Sequence, residues 1–432
     1  MLDRRSFLGL AAGGAALAAS PASARPQGAN ERIVVGVMGC SRSNSGRNPG
    51  RGSTLAIGMA GLPGAEVAYV CDVDEKYLAA VTADVSAKQS RPPKAVKDFR
   101  RILDDRSVDA LVIATPDHWH APAAILACAA GKHVYVEKPC SHNAREGELL
   151  VAAARKHRRV VQHGTQRRSW TGHREAVQAL REGAIGKVLT AKCYYLFSDR
   201  PSIGKGKPAP VPEHLDWALW QGPAPEREYK DNLVHYNWHW FWHWGTSELG
   251  NNGVHVVDVA RWGLGVDCPV QVSSMGAKLR YDDDQETPDT NVVAFRFENN
   301  SLLTWEGKSW GGRTPADPAH QIAFFGERGT LTISGGQYSI KDLSGTEVAK
   351  GQSSTGDAEH LRNFLDGIRG AAPLNAEIEE GFKSTLLCHL GNIAYRTGRS
   401  LRVDPKTRSI DGDRDAMQFW SREYRPGWEP RV

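Results

Sequence analysis

Between residues 32 and 163 the chain alternates short, wholly apolar runs with longer amphipathic stretches. Arg32-Ile33-Val34-Val35-Gly36-Val37-Met38-Gly39 predicts a buried strand ending in glycine, and Ala65 to Cys71, Val108 to Ala114, His133 to Val136 and Val160 to Gln162 repeat the pattern. Helices are expected over 53–61, 74–88, 98–104, 119–130 and 143–157. Unbroken apolar strands suit a sheet covered on both faces, so this half predicts right-handed βαβ units on an open parallel sheet. Beyond about residue 185 the period shortens to two, with strands expected over 187–197, 270–281, 290–298, 301–309, 320–325 and 329–333. Gly326-Glu327-Arg328-Gly329 and Gly335-Gly336 supply turns. This predicts an α+β domain with a large, mostly antiparallel sheet that has one solvated face. Helices over 357–369 and 376–397 either pack on that sheet or return to the first half, residues 198–212 form a loop, and 404–432 are an irregular tail.

A length of 432 residues exceeds one ordinary hydrophobic core, in keeping with two domains. Hydrophobic and charged contents of 41% and 24% are those of a water-soluble globular chain. The net charge of +5 is scattered and not gathered into a basic stripe, which argues against a nucleic-acid partner. The N-terminus changes the picture. Asp3-Arg4-Arg5-Ser6-Phe7-Leu8 places paired arginines before an Ala- and Gly-rich apolar run from Leu8 to Ala19, and Ala22-Ser23-Ala24 follows as a small-x-small cleavage site. That is the plan of a Tat export signal over residues 1–24, too short and too poor in Leu and Ile to span a membrane. A periplasmic or otherwise exported protein is expected, with no stable membrane insertion after cleavage. The seven cysteines contain no CxxC pair and lie mostly in apolar runs, so no obligatory disulfide is expected of a chain folded before export.

A dinucleotide site needs a strand, a glycine turn, a helix N-terminus and an acid for the ribose. Gly36, Met38 and Gly39 supply the strand end and turn of such a Rossmann domain, expected over 25–165, with the second domain over 166–432. The stretch from Cys40 to Gly52 is long for a GxGxxG loop; it is either an insertion before Arg51-Gly52 opens the helix or a flexible surface turn. Asp72 ends the second strand about twenty residues beyond Gly52, where a carboxylate accepts bonds from ribose hydroxyls and repels a 2′-phosphate. The cofactor expected is therefore NAD in preference to NADP. Asp72 could instead be a plain turn residue, with Asp74 next in line.

Thr115-Pro116-Asp117-His118-Trp119-His120 and Glu137-Lys138-Pro139 each follow a buried strand, at the carboxyl edge where α/β sheets bind ligands. On pattern alone the Glu–Lys pair is equally a surface feature. Taken with Gly36-Val37-Met38-Gly39, Cys71-Asp72-Val73-Asp74, Ala114-Thr115-Pro116 and Gly250-Asn251-Asn252-Gly253-Val254-His255-Val256-Val257-Asp258, however, the chain resembles the Gfo/Idh/MocA superfamily, which includes glucose–fructose oxidoreductase and inositol dehydrogenase. The resemblance runs from residue 33 to about 265. It implies an enzyme, an NAD(P)-dependent oxidoreductase acting on CH–OH groups of sugars or polyols. It places Lys138 on the reacting hydroxyl and His255 as general acid/base, and Thr115, Pro116, His118, His120 and Glu137 around the cofactor. Arg167 and Arg168 resemble substrate- or cofactor-proximal residues. Where the family commonly carries an aspartate four residues before the histidine, this chain has Asn251, which suits substrate orientation better than proton transfer. Asp258, one turn beyond His255, either orients the imidazole or is a helix-surface acid. A homo-oligomer is implied on family grounds, through the open sheet of the second domain.

Tyr236-Asn237-Trp238-His239-Trp240-Phe241-Trp242-His243-Trp244 holds four of the thirteen tryptophans. Extended, it would align them on one face, and flat aromatic faces suit sugar rings; ordinary packing explains them equally well. Trp240 and Trp242 are the candidates for substrate contact. His235, His239 and His243 would share a face of a helix, but the bulky neighbours argue against a helix and no carboxylate or cysteine joins them, so no metal is expected.

Export bears on the chemistry, because the periplasm holds no appreciable pool of free NAD. A protein folded before transport can carry its nucleotide and regenerate it in place, by coupling two sugars or through a transient 3-keto intermediate. A glycosidase or epimerase working by such a redox-neutral cycle is the alternative, and a non-catalytic sugar-binding protein with a vestigial site is a third reading.

Overall fold

The structure is a computed structural model that describes residues 32–41, 49–196 and 198–432. The expected signal, residues 1–24, and the middle of the glycine-rich loop, 42–48, lie outside the described residues.

Six parallel strands in the order β3-β2-β1-β4-β5-β6 form the first sheet: β1 Ile33–Met38, β2 Ala65–Cys71, β3 Lys94–Val96, β4 Ala110–Ile113, β5 His133–Val136 and β6 Val161–His163. The order reverses between β1 and β4, which opens a crevice beyond the carboxyl ends of the strands. The intervening helices are α1 (Arg51–Ala60), α2 (Glu75–Ser86), α3 (Arg100–Asp104), α4 (Asp117–Ala129) and α5 (Ala144–Lys156). Burial on both faces explains the unbroken apolar strands: Val35, Val37, Val112 and Tyr135 are fully buried on one side, Leu111, Ile113, Val134 and Val136 on the other. β3 has no signal in the hydropathy pattern because it is a short edge strand with mostly exposed residues.

The second half begins with α6 (Thr171–Arg181) and β7 (Val188–Tyr195), then α7 (Trp217–Gln221) and α8 (Val254–Leu264). It continues with β8 (Gln271–Ala277), β9 (Thr290–Arg296), β10 (Leu302–Lys308), β11 (Ile322–Gly326), β12 (Gly329–Ser334), β13 (Gln337–Asp342) and β14 (Glu347–Gln352). Helices α9 (Ala358–Ile368) and α10 (Ile378–Thr397), the short β15 (Leu401–Arg402) and α11 (Arg414–Met417) complete it. The nine strands take the order β14-β13-β12-β11-β7-β10-β9-β8-β15. Every pair is antiparallel except β7 with β10. The alternation of β9, with Asn291, Val293 and Phe295 inward and Val292 outward, is the period-two pattern of a half-covered sheet. β13 and β14 fall outside the predicted strands because they form a largely exposed edge with few apolar positions.

The two late helices separate. α10 is buried over most of its length and lies between α5 and β8, so it joins both halves. α9 returns to the first half, where Leu361, Phe364 and Leu365 join Leu55, Met59 and Tyr135 in the core beneath β1. Replacing Phe364 by alanine is therefore expected to destabilise the protein by about 3–5 kcal/mol, because its ring is fully buried in that core. Urea denaturation followed by tryptophan fluorescence checks this, and a loss below about 1 kcal/mol would show that α9 is not part of the first core.

Candidate active site

A cavity of about 710 Å³ lies at the carboxyl edge of the parallel sheet. Its floor is the glycine turn after β1. Gly39 has φ +86, and a Cβ there would stand 2.6 Å from the Thr115 amide nitrogen. A Cβ on Gly52, in the first turn of α1, would stand 1.5 Å from the Gly39 carbonyl oxygen. Only two glycines allow turn and helix to approach so closely, and no side chain caps the start of α1. That is the cradle a pyrophosphate requires. Asp72 lines the same cavity at the end of β2; its Oδ2 accepts the Cys40 amide at 2.6 Å and its Oδ1 the Asp74 amide at 2.8 Å. Burial pushes the Asp72 carboxyl above its ordinary value, only partly opposed by those two amides. The Thr115 hydroxyl is buried on the wall with no partner among the described residues. A glycine cradle, a strand-end acid and an unpartnered hydroxyl fit a dinucleotide.

Glu137 and Lys138 leave β5 in opposite directions. Glu137 is 3% exposed and receives Arg51 Nε at 2.7 Å, so it ties β5 to the first residue of α1. A second arm of Arg51 reaches Asp357, just before α9, at 2.7 Å. Lys138 Nζ donates to the Asn251 carbonyl at 2.8 Å and to Asn251 Oδ1 at 2.9 Å. Burial lowers the Lys138 pKa, and the carboxylates of Glu137 and Asp117 oppose that shift. An ammonium has three donors, so two bonds to Asn251 leave one for the cavity. Asn251 lies in a single π-helical turn, Leu249–Gly253, which runs directly into α8.

His255, in the first turn of α8, lines the cavity, and its Nδ1 has no partner among the described residues. Burial holds its pKa well below the ordinary imidazole value, and the positive charges of Lys138 and Arg167 push in the same direction. A neutral imidazole with an uncommitted nitrogen beside an ammonium can accept a proton from a hydroxyl held by that ammonium.

The other predicted residues divide. Met38, Pro116 and His120 line the cavity with Gly39, Asp72, Thr115, Glu137, Lys138, Asn251 and His255. His120 bridges two loops, with Nδ1 2.6 Å from the Pro139 carbonyl and Nε2 2.8 Å from that of Thr115. Gly36 lies within β1, where a Cβ would meet Ile102. His118 turns away and bonds the Trp220 carbonyl at 3.0 Å. Arg167 lies off the cavity wall, 3.2 Å from Gln321 Oε1. Asp258 does not orient His255: it is fully buried and binds Arg168 through two guanidinium nitrogens, at 2.8 Å each.

The aromatic stretch is not extended. Asn237–Trp240 forms a 3-10 turn, so the tryptophans do not share a face. Trp240 is fully buried under the Arg200 guanidinium, and Trp242 packs beside Tyr395 and Arg396; neither lines the cavity. Tyr236, Trp238 and His239 line it instead. His235, His239 and His243 bond Asp74, the Tyr236 carbonyl and the Pro225 carbonyl respectively, and no group of metal-ligating side chains occurs among the described residues. Sequence reasoning missed Arg51, Tyr77, Gln166, His235 and Tyr236 as wall residues. Of these, only Arg51 carried a signal, as the basic residue beside Gly52.

Fold and cavity together define a Rossmann-type nucleotide-binding protein carrying a second, sheet-based domain. The chain belongs to the Gfo/Idh/MocA oxidoreductase family: residues 33–165 match its NAD-binding Rossmann fold and residues 202–430 its C-terminal alpha/beta domain. A levoglucosan dehydrogenase of Pseudarthrobacter phenanthrenivorans is 26% identical over 193 residues, 44% of this chain and 42% of that protein. A glycosyl hydrolase family 109 protein of Saccharopolyspora erythraea is 31% identical over 175 residues, 39% of this chain and 36% of that protein. The chain thus aligns with less than half the length of these curated relatives. The WlbA dehydrogenase from Bordetella pertussis, solved with NADH and UDP-GlcNAcA, shares the fold with a TM-score of 0.64 at 21% identity, over 86% of this chain and 99% of that one.

The electrostatics of the site yield a prediction. Because the Lys138 charge depresses the His255 pKa more than any other cation does, Lys138→Met is expected to raise the pH at which that imidazole titrates. Histidine-selective nitrogen NMR measures it, and a titration that stays put or moves down would mean the two groups do not share a site.

Proposed function

We propose that this protein is an exported, NAD-dependent oxidoreductase acting on secondary hydroxyls of sugars or related polyols, with tightly bound cofactor recycled in place. The observation that carries the reading is the pairing of the Lys138 ammonium, held on Asn251, with the neutral, uncommitted His255 imidazole on the wall of a dinucleotide cavity. NAD, when bound, supplies a hydride acceptor. The chain's own groups manage the proton. Lys138 directs its remaining N–H at the substrate hydroxyl and stabilises the oxygen as negative charge develops. His255 takes the hydroxyl proton on its imidazole and returns it when the reaction runs backwards. Asn251 fixes the ammonium and orients substrate without adding a charge.

Export rests on the twin-arginine segment Asp3-Arg4-Arg5-Ser6-Phe7-Leu8, and in-place recycling follows from the compartment it implies. The relative named as a levoglucosan dehydrogenase supports a carbohydrate substrate. The relative named as a family 109 glycosyl hydrolase supports a second reading, glycoside cleavage or epimerisation through a transient keto sugar, which the same lysine and histidine would serve. Among the described residues no helix is long and apolar enough to cross a membrane.

Mass spectrometry of nucleotide retained by the native protein, followed by a sugar screen that watches bound NADH form, tests the proposal. Retained NAD and NADH absorbance with at least one sugar are expected, and release of a sugar or phenol from glycosides would select the second reading. Lys138→Met is expected to lower kcat by on the order of 10²–10³ while nucleotide stays bound. A protein without nucleotide that is inert towards every sugar would sink both readings.

A further inference from the structure

The cavity has a wall that the cofactor fingerprint does not include. Leu219, Trp220, His235, Tyr236, Trp238 and His239 face it from the segment joining β7 to α8. That segment has an aromatic core of its own, in which Trp220, Trp238, Trp240 and Trp244 are buried with Phe241 and Leu233, so it is a preformed wall. Asp72 and Tyr77 of the Rossmann half line the same cavity.

One side chain stitches the two together. Asp74, 1% exposed, caps α2 by accepting the Lys76 amide on Oδ1 at 2.9 Å. Its other oxygen, Oδ2, accepts His214 Nδ1 at 3.0 Å and His235 Nε2 at 2.9 Å. The backbone reinforces the join: the Glu75 amide donates to the His214 carbonyl and the Asp216 amide to the Val73 carbonyl, each at 2.9 Å. The His235 ring lies 4.4 Å from that of Tyr77. The join stands two residues from Asp72, the acid placed to hold the ribose.

We infer that Asp74, His214 and His235 latch this wall over the ribose end of the nucleotide and set the rate at which the nucleotide leaves. Asp74 and His214 are positioning residues, His214 being off the cavity wall. The inference rests on the NAD-cavity reading and deepens it: the Rossmann half supplies the cradle, and the second domain supplies the barrier to escape.

The test uses the full-length protein loaded with NADH and chased with excess NAD, following loss of bound-NADH fluorescence. Asp74→Ser keeps a short oxygen for the α2 cap and deletes Oδ2. His214→Ala removes one strand of the latch from the other side. Release roughly tenfold faster in both variants is expected, the effect of losing a hydrogen bond to a charged group, with the melting temperature of nucleotide-free His214→Ala close to that of the native chain. His214→Asn, whose amide NH₂ stands where Nδ1 does, should restore slow release. Should Asp74→Ser fail to fold, the two His214 variants decide. A release rate within about twofold of the native protein in His214→Ala would overturn the latch. Rapid NADH loss from the native protein would instead remove in-place recycling, while the ratio between variant and native rates would still judge the latch.

Discussion

The bond pair between the Lys138 ammonium and Asn251 is the constraint on which the site depends. A half-buried ammonium must keep acceptors, and both of these come from the π-helical turn that opens α8 in the second half of the chain. That contact sets where α8 begins relative to β5, and so where His255 stands. The same burial that makes the acceptors necessary lowers the Lys138 pKa and keeps His255 neutral. Burial pushes both groups towards their neutral forms: it frees the imidazole to act as base, while the carboxylates of Glu137 and Asp117 oppose it at the lysine.

Around this centre the charges are largely committed. Glu137 is engaged by Arg51, Asp258 by Arg168, and Asp74 by two histidines. Each pair also joins segments far apart in sequence, and the Asp74 pairs cross from the first half of the chain to the second. Arg51 is the clearest case, because it links α1 to both β5 and the start of α9. Among the described residues that line the cavity, the His255 Nδ1 and the Thr115 hydroxyl are buried without a partner. Unpaired polar atoms in a buried cavity are where a ligand recovers its desolvation cost.

Most of the fold was legible in hydropathy because buried parallel strands and half-covered antiparallel strands leave different periods. Ala65–Cys71 and His133–Val136 match their predicted ranges. The edge strands β3, β13 and β14 were not legible, since exposed strands carry little apolar signal. Within the site, residues at strand ends could be placed because the sheet decides where they point. The aromatic stretch could not: a 3-10 turn buries Trp240 and brings Tyr236 and His239 to the cavity, and nothing in their spacing distinguishes this from an extended strand.

By itself, the sequence determined the parallel and antiparallel halves, the glycine turn, Asp72, and the pairing of Glu137-Lys138-Pro139 with the His255 helix. All of these follow from local periodicity, from strand termini and from a family resemblance carried on short motifs. Only the tertiary structure decided what the charged groups do. Asp258 went to Arg168 rather than His255, Asp74 to His214 and His235, and Glu137 to Arg51. The physical reason is that a buried charge takes the nearest partner in space, and those partners lie 86 to 161 residues away along the chain.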